Sequence, residues 1–87
     1  MSRKISQTIL EYTAVFEPAE EGGYVVTVPA LPGCMTQGEN FEDAVDMIKD
    51  AIGGYLAVLK DEGQDIPQEN SDVVIAKISV NNPAAQL

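Results

Sequence analysis

The chain is 87 residues long, 45% of them hydrophobic and 22% charged, which describes one small domain whose modest core invites oligomerisation or a bound partner. Fourteen acidic against five basic side chains give a formal net charge of −9, which repels a phosphate backbone and excludes the electrostatic footprint of a nucleic-acid binder. With no histidine and the single cysteine Cys34, the chain lacks the ligands of a structural zinc site and cannot close an intramolecular disulfide, so no metal or other cofactor is implied.

Met1 to Gln7 carries Arg3 and Lys4 without an apolar stretch before Glu11, so it does not read as a signal peptide. No apolar run approaches membrane-spanning length, and a cytoplasmic protein is expected. Residues 1–87 read as a single domain, with 1–7 and 83–87 expected to be flexible. The first element is "TILEYTAVFEP", residues 8–18, where Leu10, Tyr12, Ala14 and Phe16 alternate with Glu11, Thr13, Val15 and Glu17. Pro18 ends it, and "AEEGG" supplies a turn with two residues free to adopt positive φ. "YVVTVPAL" repeats the alternation, with Tyr24, Val26 and Val28 on one face and Val25 and Thr27 on the other. The two runs predict a β-hairpin.

"LPGCMTQGE" opens with a Pro-Gly turn at positions 32 and 33, and Cys34 to Glu39 can form a third, short strand. From Asn40 the period changes to helical. Phe41, Ala44, Val45, Ile48, Ile52, Tyr55, Leu56 and Leu59 share one stripe, and Glu42, Asp43, Asp46, Lys49, Asp50 and Lys60 take the other side. Asn40 is placed to cap the helix, Asp43 to reach back to it, and Gly63 to close the carboxyl end. Gly53 and Gly54 stand inside the helix at a cost of up to ~1 kcal/mol each relative to alanine. They read either as the close approach of another backbone or as a tolerated irregularity.

"VVIAKISV", residues 73–80, is a nearly continuous, β-branched apolar run that predicts a strand covered on much of both faces. The order is therefore β-β-β-α-β, an α+β fold. The economical topology is an antiparallel meander with one long helix on one face and a final strand returning beside the first. That leaves the other sheet face open, and Val15, Val25 and Ile75 on it, with Gly53 and Gly54, are candidate subunit contacts.

These elements together carry a family signal. The strand and hairpin ending in "GGYVVTV", the "LPGC" turn, the "TQGEN" entry to the helix and the "GQDIP" segment after it resemble the HicB family of antitoxins over about residues 8–80. The resemblance implies a partial ribonuclease-H-like fold with the same element order. It implies, as partner, a HicA-like ribonuclease toxin that is inhibited by binding; the small core and the open sheet face add the expectation of self-association as a dimer or tetramer. Many members of the family add a carboxyl-terminal DNA-binding segment; these 87 residues hold no counterpart to it, so direct DNA binding is not expected.

The candidate partner-binding residues are Tyr24, Val26, Pro29, Leu31, Pro32 and Gly33, from the second strand and the turn, with Glu42, Asp43 and Asp46 from the acidic helix face. A role for those carboxylates is to attract a basic partner. Other tasks on the same fold are regulation by RNA or metabolite binding, and nuclease activity. A two-metal nuclease needs carboxylates at matching levels of strands one and four. Strand one offers Glu11 and Glu17, but strand four ends in Asn81 and Asn82 and has Asp72 only at its start. The set is incomplete, and no catalytic residue is assigned. Cys34 has no lysine or arginine within fourteen positions to activate it, and it reads as a small buried apolar group.

Overall fold

The computed structural model describes residues 9–69 and 74–85. Three strands, β1 (Val15–Pro18), β2 (Tyr24–Thr27) and β3 (Met35–Gly38), form an antiparallel sheet in the order β1-β2-β3, and one helix, α1 (Phe41–Asp61), follows. The arrangement is α+β, as the change of hydrophobic period predicts. Ala19 and Gly23 close the first hairpin, with Gly22 and Gly23 at φ of 103° and 77°, a backbone that the Gly-Gly pair adopts without strain.

The first strand is shorter than its alternating sequence. Register pairs Val15 with Thr27, so Ala14 would face Val28. The Val28 N–H points the other way, to the Cys34 carbonyl at 3.2 Å, and the next position of that run facing β1 is Pro29, which has no N–H to donate. Residues 9–14 consequently have no ladder on that side. Their alternation survives in packing, for Tyr12, Ala14 and Phe16 all lie against the core. That core is Val26, Val28, Leu31, Cys34, Ala44 and Ile48, all buried.

The helix begins as its sequence dictates. The Asn40 side chain accepts from the Asp43 N–H at 2.8 Å, and the Asp43 carboxylate accepts from the N–H of Glu39 at 2.8 Å, one residue before the cap. At the other end Gly63 sits at φ 71°, its N–H on the Lys60 carbonyl and the Gln64 N–H on that of Leu59. This is a Schellman closure. Ala44 and Ile48 point into the core, while Val45, Ile52, Tyr55, Leu56 and Leu59 are half-buried along the same stripe.

What seats the helix on the sheet is the absence of a side chain. A Cβ at Gly38 would overlap the Ala44 backbone, and one at Gly23 would overlap the Gly38 carbonyl. Two glycines and an alanine therefore let β2, β3 and the first turn of α1 approach closely. Gly53 and Gly54 differ: a Cβ at either would meet nothing within 4 Å, so nothing described in this chain approaches them.

Among the described residues the final strand is not formed. Residues 74–80 make no ladder with β1, and Val74, Ile78 and Val80 are 84%, 79% and 82% exposed. A β-branched apolar run marks a segment able to pair, whereas pairing needs an open edge against it. The expected flexible segment 1–7 and the start of the last run, Val73, lie outside the described residues. Near the carboxyl end the Asn82 carbonyl and side chain hold a turn through Ala85 and Ala84.

Gly38→Ala should lower stability by about 1–3 kcal/mol, because the added methyl group meets backbone rather than a movable side chain. Gly54→Ala, in open space inside the helix, should raise it by up to ~1 kcal/mol. Urea unfolding of the two variants followed by helical circular dichroism reads both signs.

Candidate functional site

The turn between β2 and β3 is a rigid corner. Leu31 N–H bonds the Val28 carbonyl and Cys34 N–H bonds the Leu31 carbonyl, both at 2.9 Å, so two successive turns share Leu31. Pro32 presets the second turn and Gly33, at φ 84°, completes it. The Leu31 side chain is fully buried and anchors the corner from within. From α1 the Tyr55 hydroxyl donates to the Pro32 carbonyl at 2.9 Å, a tie between helix and corner that side-chain spacing in the sequence does not announce. Burial pushes the Cys34 thiol above its ordinary pKa, the opposite of an activated nucleophile.

A second feature lies at the start of α1. Phe16, Tyr24 and Phe41 form an aromatic trio, with ring centroids 4.8 Å apart for Phe16 and Phe41, 6.3 Å for Phe16 and Tyr24, and 6.2 Å for Tyr24 and Phe41. Phe41 is 53% exposed. Beside it Glu42 and Asp46 are exposed, and with Phe41 and Val45 they line a shallow hollow. Asp43 is half-buried and committed to the cap.

The candidate contact residues accordingly separate into three groups. Tyr24, Glu42, Asp43 and Asp46 gather at the aromatic end. Pro29, Pro32 and Gly33 are exposed at the corner, near Tyr55. Since Phe41 and Tyr55 are fourteen positions apart on one helix, about 21 Å of rise separates the two patches. The side chains of Val26 and Leu31 are in the core and reach neither surface. Val26 belongs to the sheet face that Ala44 and Ile48 of the helix cover, and Leu31 is turned into the same core by the corner. On the outer sheet face Val15 is 36% exposed and Val25 half-buried, and Ile75 is exposed in the tail.

A third feature is a groove of about 1100 Å³ between residues 10–16 and α1, with Leu10, Ala14, Val45, Ile52 and Leu56 among its apolar lining. Residues 67–69 fasten one end of it. The Tyr12 hydroxyl donates to the Pro67 carbonyl, and Glu69 accepts from the Thr13 hydroxyl and, at 2.6 Å, from the Thr13 N–H. Those bonds from Thr13 hold the Glu69 carboxyl below its ordinary pKa, and burial together with the Glu69 charge raises that of Tyr12. Among the described residues no three or more of His, Cys, Asp and Glu are placed to hold a metal ion, and no helix is long and apolar enough to cross a membrane.

Residues 12–84 match the family described as HicB_like antitoxin of bacterial toxin-antitoxin system. A UPF0150 protein of Thermoplasma acidophilum is 43% identical over 65 residues, 75% of this chain and 94% of that one. Antitoxin HicB 1 of Photorhabdus laumondii is 36% identical over 58 residues, 67% of this chain and 37% of that one. Antitoxin HicB of Escherichia coli is 40% identical over 43 residues, 49% of this chain and 31% of that one. The match thus spans nearly the whole of the first relative and about a third of the two named antitoxins.

Two outcomes follow from this geometry. Leu31→Ala should cost about 2–5 kcal/mol of folding stability, as removal of a buried leucine does, measured by urea unfolding. The Glu69 carboxyl is lowered in the folded state, so its contribution is present above the unfolded value of about 4.3 and fades as pH falls through the lower folded value. The stability advantage of the wild type over Glu69→Gln should therefore disappear on acidification, read as the urea midpoint against pH.

Proposed function

The chain belongs to the HicB-like antitoxin family, and on that premise we propose that it neutralises a toxin by occlusion, binding and masking the active site of a basic HicA-type messenger-RNA interferase in the cytoplasm. It performs no chemistry of its own. The observation that carries this reading is the exposed Phe41 ring, backed by Phe16 and Tyr24 and flanked by the exposed carboxylates of Glu42 and Asp46. An enzyme that grips an RNA backbone presents lysines and arginines around its active site. Carboxylates facing it replace the phosphates, and an aromatic ring beside them supplies an apolar anchor of the kind that concentrates binding energy.

The net charge of −9 extends the same complementarity over the whole molecule and acts mainly on the rate of encounter. The raised pKa of the buried Cys34 thiol supports a binding role rather than nucleophilic catalysis. The exposed corner at Pro29, Pro32 and Gly33 is a second contact for the same partner, held rigid by its turns so that little ordering is needed on binding.

Co-expression with a HicA-type toxin should restore growth and copurify the two chains. Glu42→Lys with Asp46→Lys should slow association about tenfold at low salt, with a difference that shrinks as salt is raised, in stopped-flow measurements. Persistence of toxicity beside an excess of folded protein, with no complex recovered, would sink the reading.

A further inference from the structure

The two turns that share Leu31 open alike and differ at one position. Val28 to Leu31 and Leu31 to Cys34 each place a proline second, Pro29 and Pro32, and each is closed by its own hydrogen bond at 2.9 Å. The third position separates them. Ala30 has negative φ, as every described residue other than glycine does, whereas Gly33 stands at φ 84°. A positive φ at the third position defines a type II turn, in which the central peptide is rotated by about half a turn from its orientation in type I.

In the second turn that central peptide joins Pro32 to Gly33, and its carbonyl is the one that accepts from the Tyr55 hydroxyl at 2.9 Å. The bond is trans, so its C=O and N–H lie in one plane and point in opposite directions. With the carbonyl turned to Tyr55, the Gly33 N–H points away from it. Pro32 and Gly33 are exposed, and among the described residues the bonds of the corner use the N–H groups of Val28, Leu31 and Cys34 and not that of Gly33. Space does not dictate the sense of this turn, since a Cβ at Gly33 would meet nothing within 4 Å. It is set by the freedom of φ at Gly33 and by the hydroxyl that the carbonyl faces.

We infer that Tyr55 is a positioning residue for partner binding: its hydroxyl holds the Pro32 carbonyl inward, so that the corner presents the Gly33 N–H outward as a hydrogen-bond donor. This rests on the proposed function, in which the corner is a second contact for a basic partner. Lysine and arginine side chains carry donors and no acceptor, so on such a surface the group that meets Gly33 is a main-chain carbonyl oxygen. With the peptide rotated, the Pro32 carbonyl would face that oxygen instead, acceptor against acceptor, and both would be left unpaired in the contact.

The turn is tested in the protein alone by a double-mutant cycle. The Tyr55 ring packs against the core, so Tyr55→Phe keeps the packing and removes only the bond. Gly33→Ala meets no clash, and its cost is that of a positive φ, which the turn escapes only by rotating its peptide and giving up Tyr55. Gly33→Ala should therefore lower the urea midpoint less in Tyr55→Phe than in the wild type. Equal losses in the two backgrounds overturn the role of Tyr55.

Presentation is tested in a saturated complex with a HicA-type toxin. The Gly33 amide should exchange about tenfold more slowly there than in the free protein, a protection that a purely structural role for Tyr55 would not produce. Tyr55→Phe, folded by circular dichroism, should bind about fivefold more weakly than the wild type, the scale of one hydrogen bond. A Gly33 amide that exchanges as fast in the complex as alone, or a Tyr55→Phe that binds as tightly as the wild type, overturns the inference. If the wild type itself forms no complex, the proposed function fails and the presentation with it, while the cycle still decides whether Tyr55 sets the turn.

Discussion

The approach of β3 to the first turn of α1, where Gly38 meets the backbone of Ala44, is the contact on which the remainder of the molecule depends. A side chain at position 38 would lift the helix from the sheet, and Ala44 and Ile48 would no longer fill the space over Val26, Val28 and Leu31. With six buried residues in the core among the described residues, a displacement of that size has little reserve of packing to absorb it. Gly23, against the Gly38 carbonyl, extends the same tight seam to β2. The cap at Asn40 then starts the helix at the point where the seam ends, and Phe41 is carried over Phe16.

From that seat the two surfaces of interest acquire their character. At one end, the helix dipole and the cap favour carboxylates in the first turn, so Glu42 and Asp43 belong there on structural grounds alone. Asp46, one turn on, is outside that explanation, and its exposed charge beside an exposed aromatic ring is what a basic partner would use. At the other end, the Tyr55 hydroxyl donates to the Pro32 carbonyl and ties the corner to the helix. The groove is a consequence of the same placement: α1 overhangs the open edge beside β1, and the chain's own segment 74–80 does not fill it.

Much of the fold was legible because local chemistry decided it. Asn40 and Gly63 bounded the helix by capping, Pro32 and Gly33 specified their turn, and the alternations Tyr12-Ala14-Phe16 and Tyr24-Val26-Val28 identified the faces that pack together. What escaped was whatever depended on distance across the chain. Gly38 stands in the sequence without any sign of a neighbour, and only the position of Ala44 reveals that its missing side chain is required. The Thr13 to Glu69 and Tyr55 to Pro32 bonds join residues 56 and 23 positions apart, with no periodic trace. Val26 and Leu31 were expected to touch a partner and are instead buried: Val26 lies on the sheet face that the helix covers, and Leu31, outside the alternation, is turned into the core by the corner. The run 73–80 was expected to pair within its own chain; its composition declares a capacity to pair but not the partner.

The central claim is that a basic ribonuclease toxin is held at the aromatic and acidic end of the helix. It is tested most directly by amide hydrogen exchange of the protein alone and in complex with a HicA-type toxin. The account predicts new protection at Tyr24 and through the first turns of α1, from Phe41 to Asp46, with a weaker effect at the Pro29 to Gly33 corner. Exchange at that helix start unchanged in a saturated complex, with protection confined to other surfaces, would contradict it.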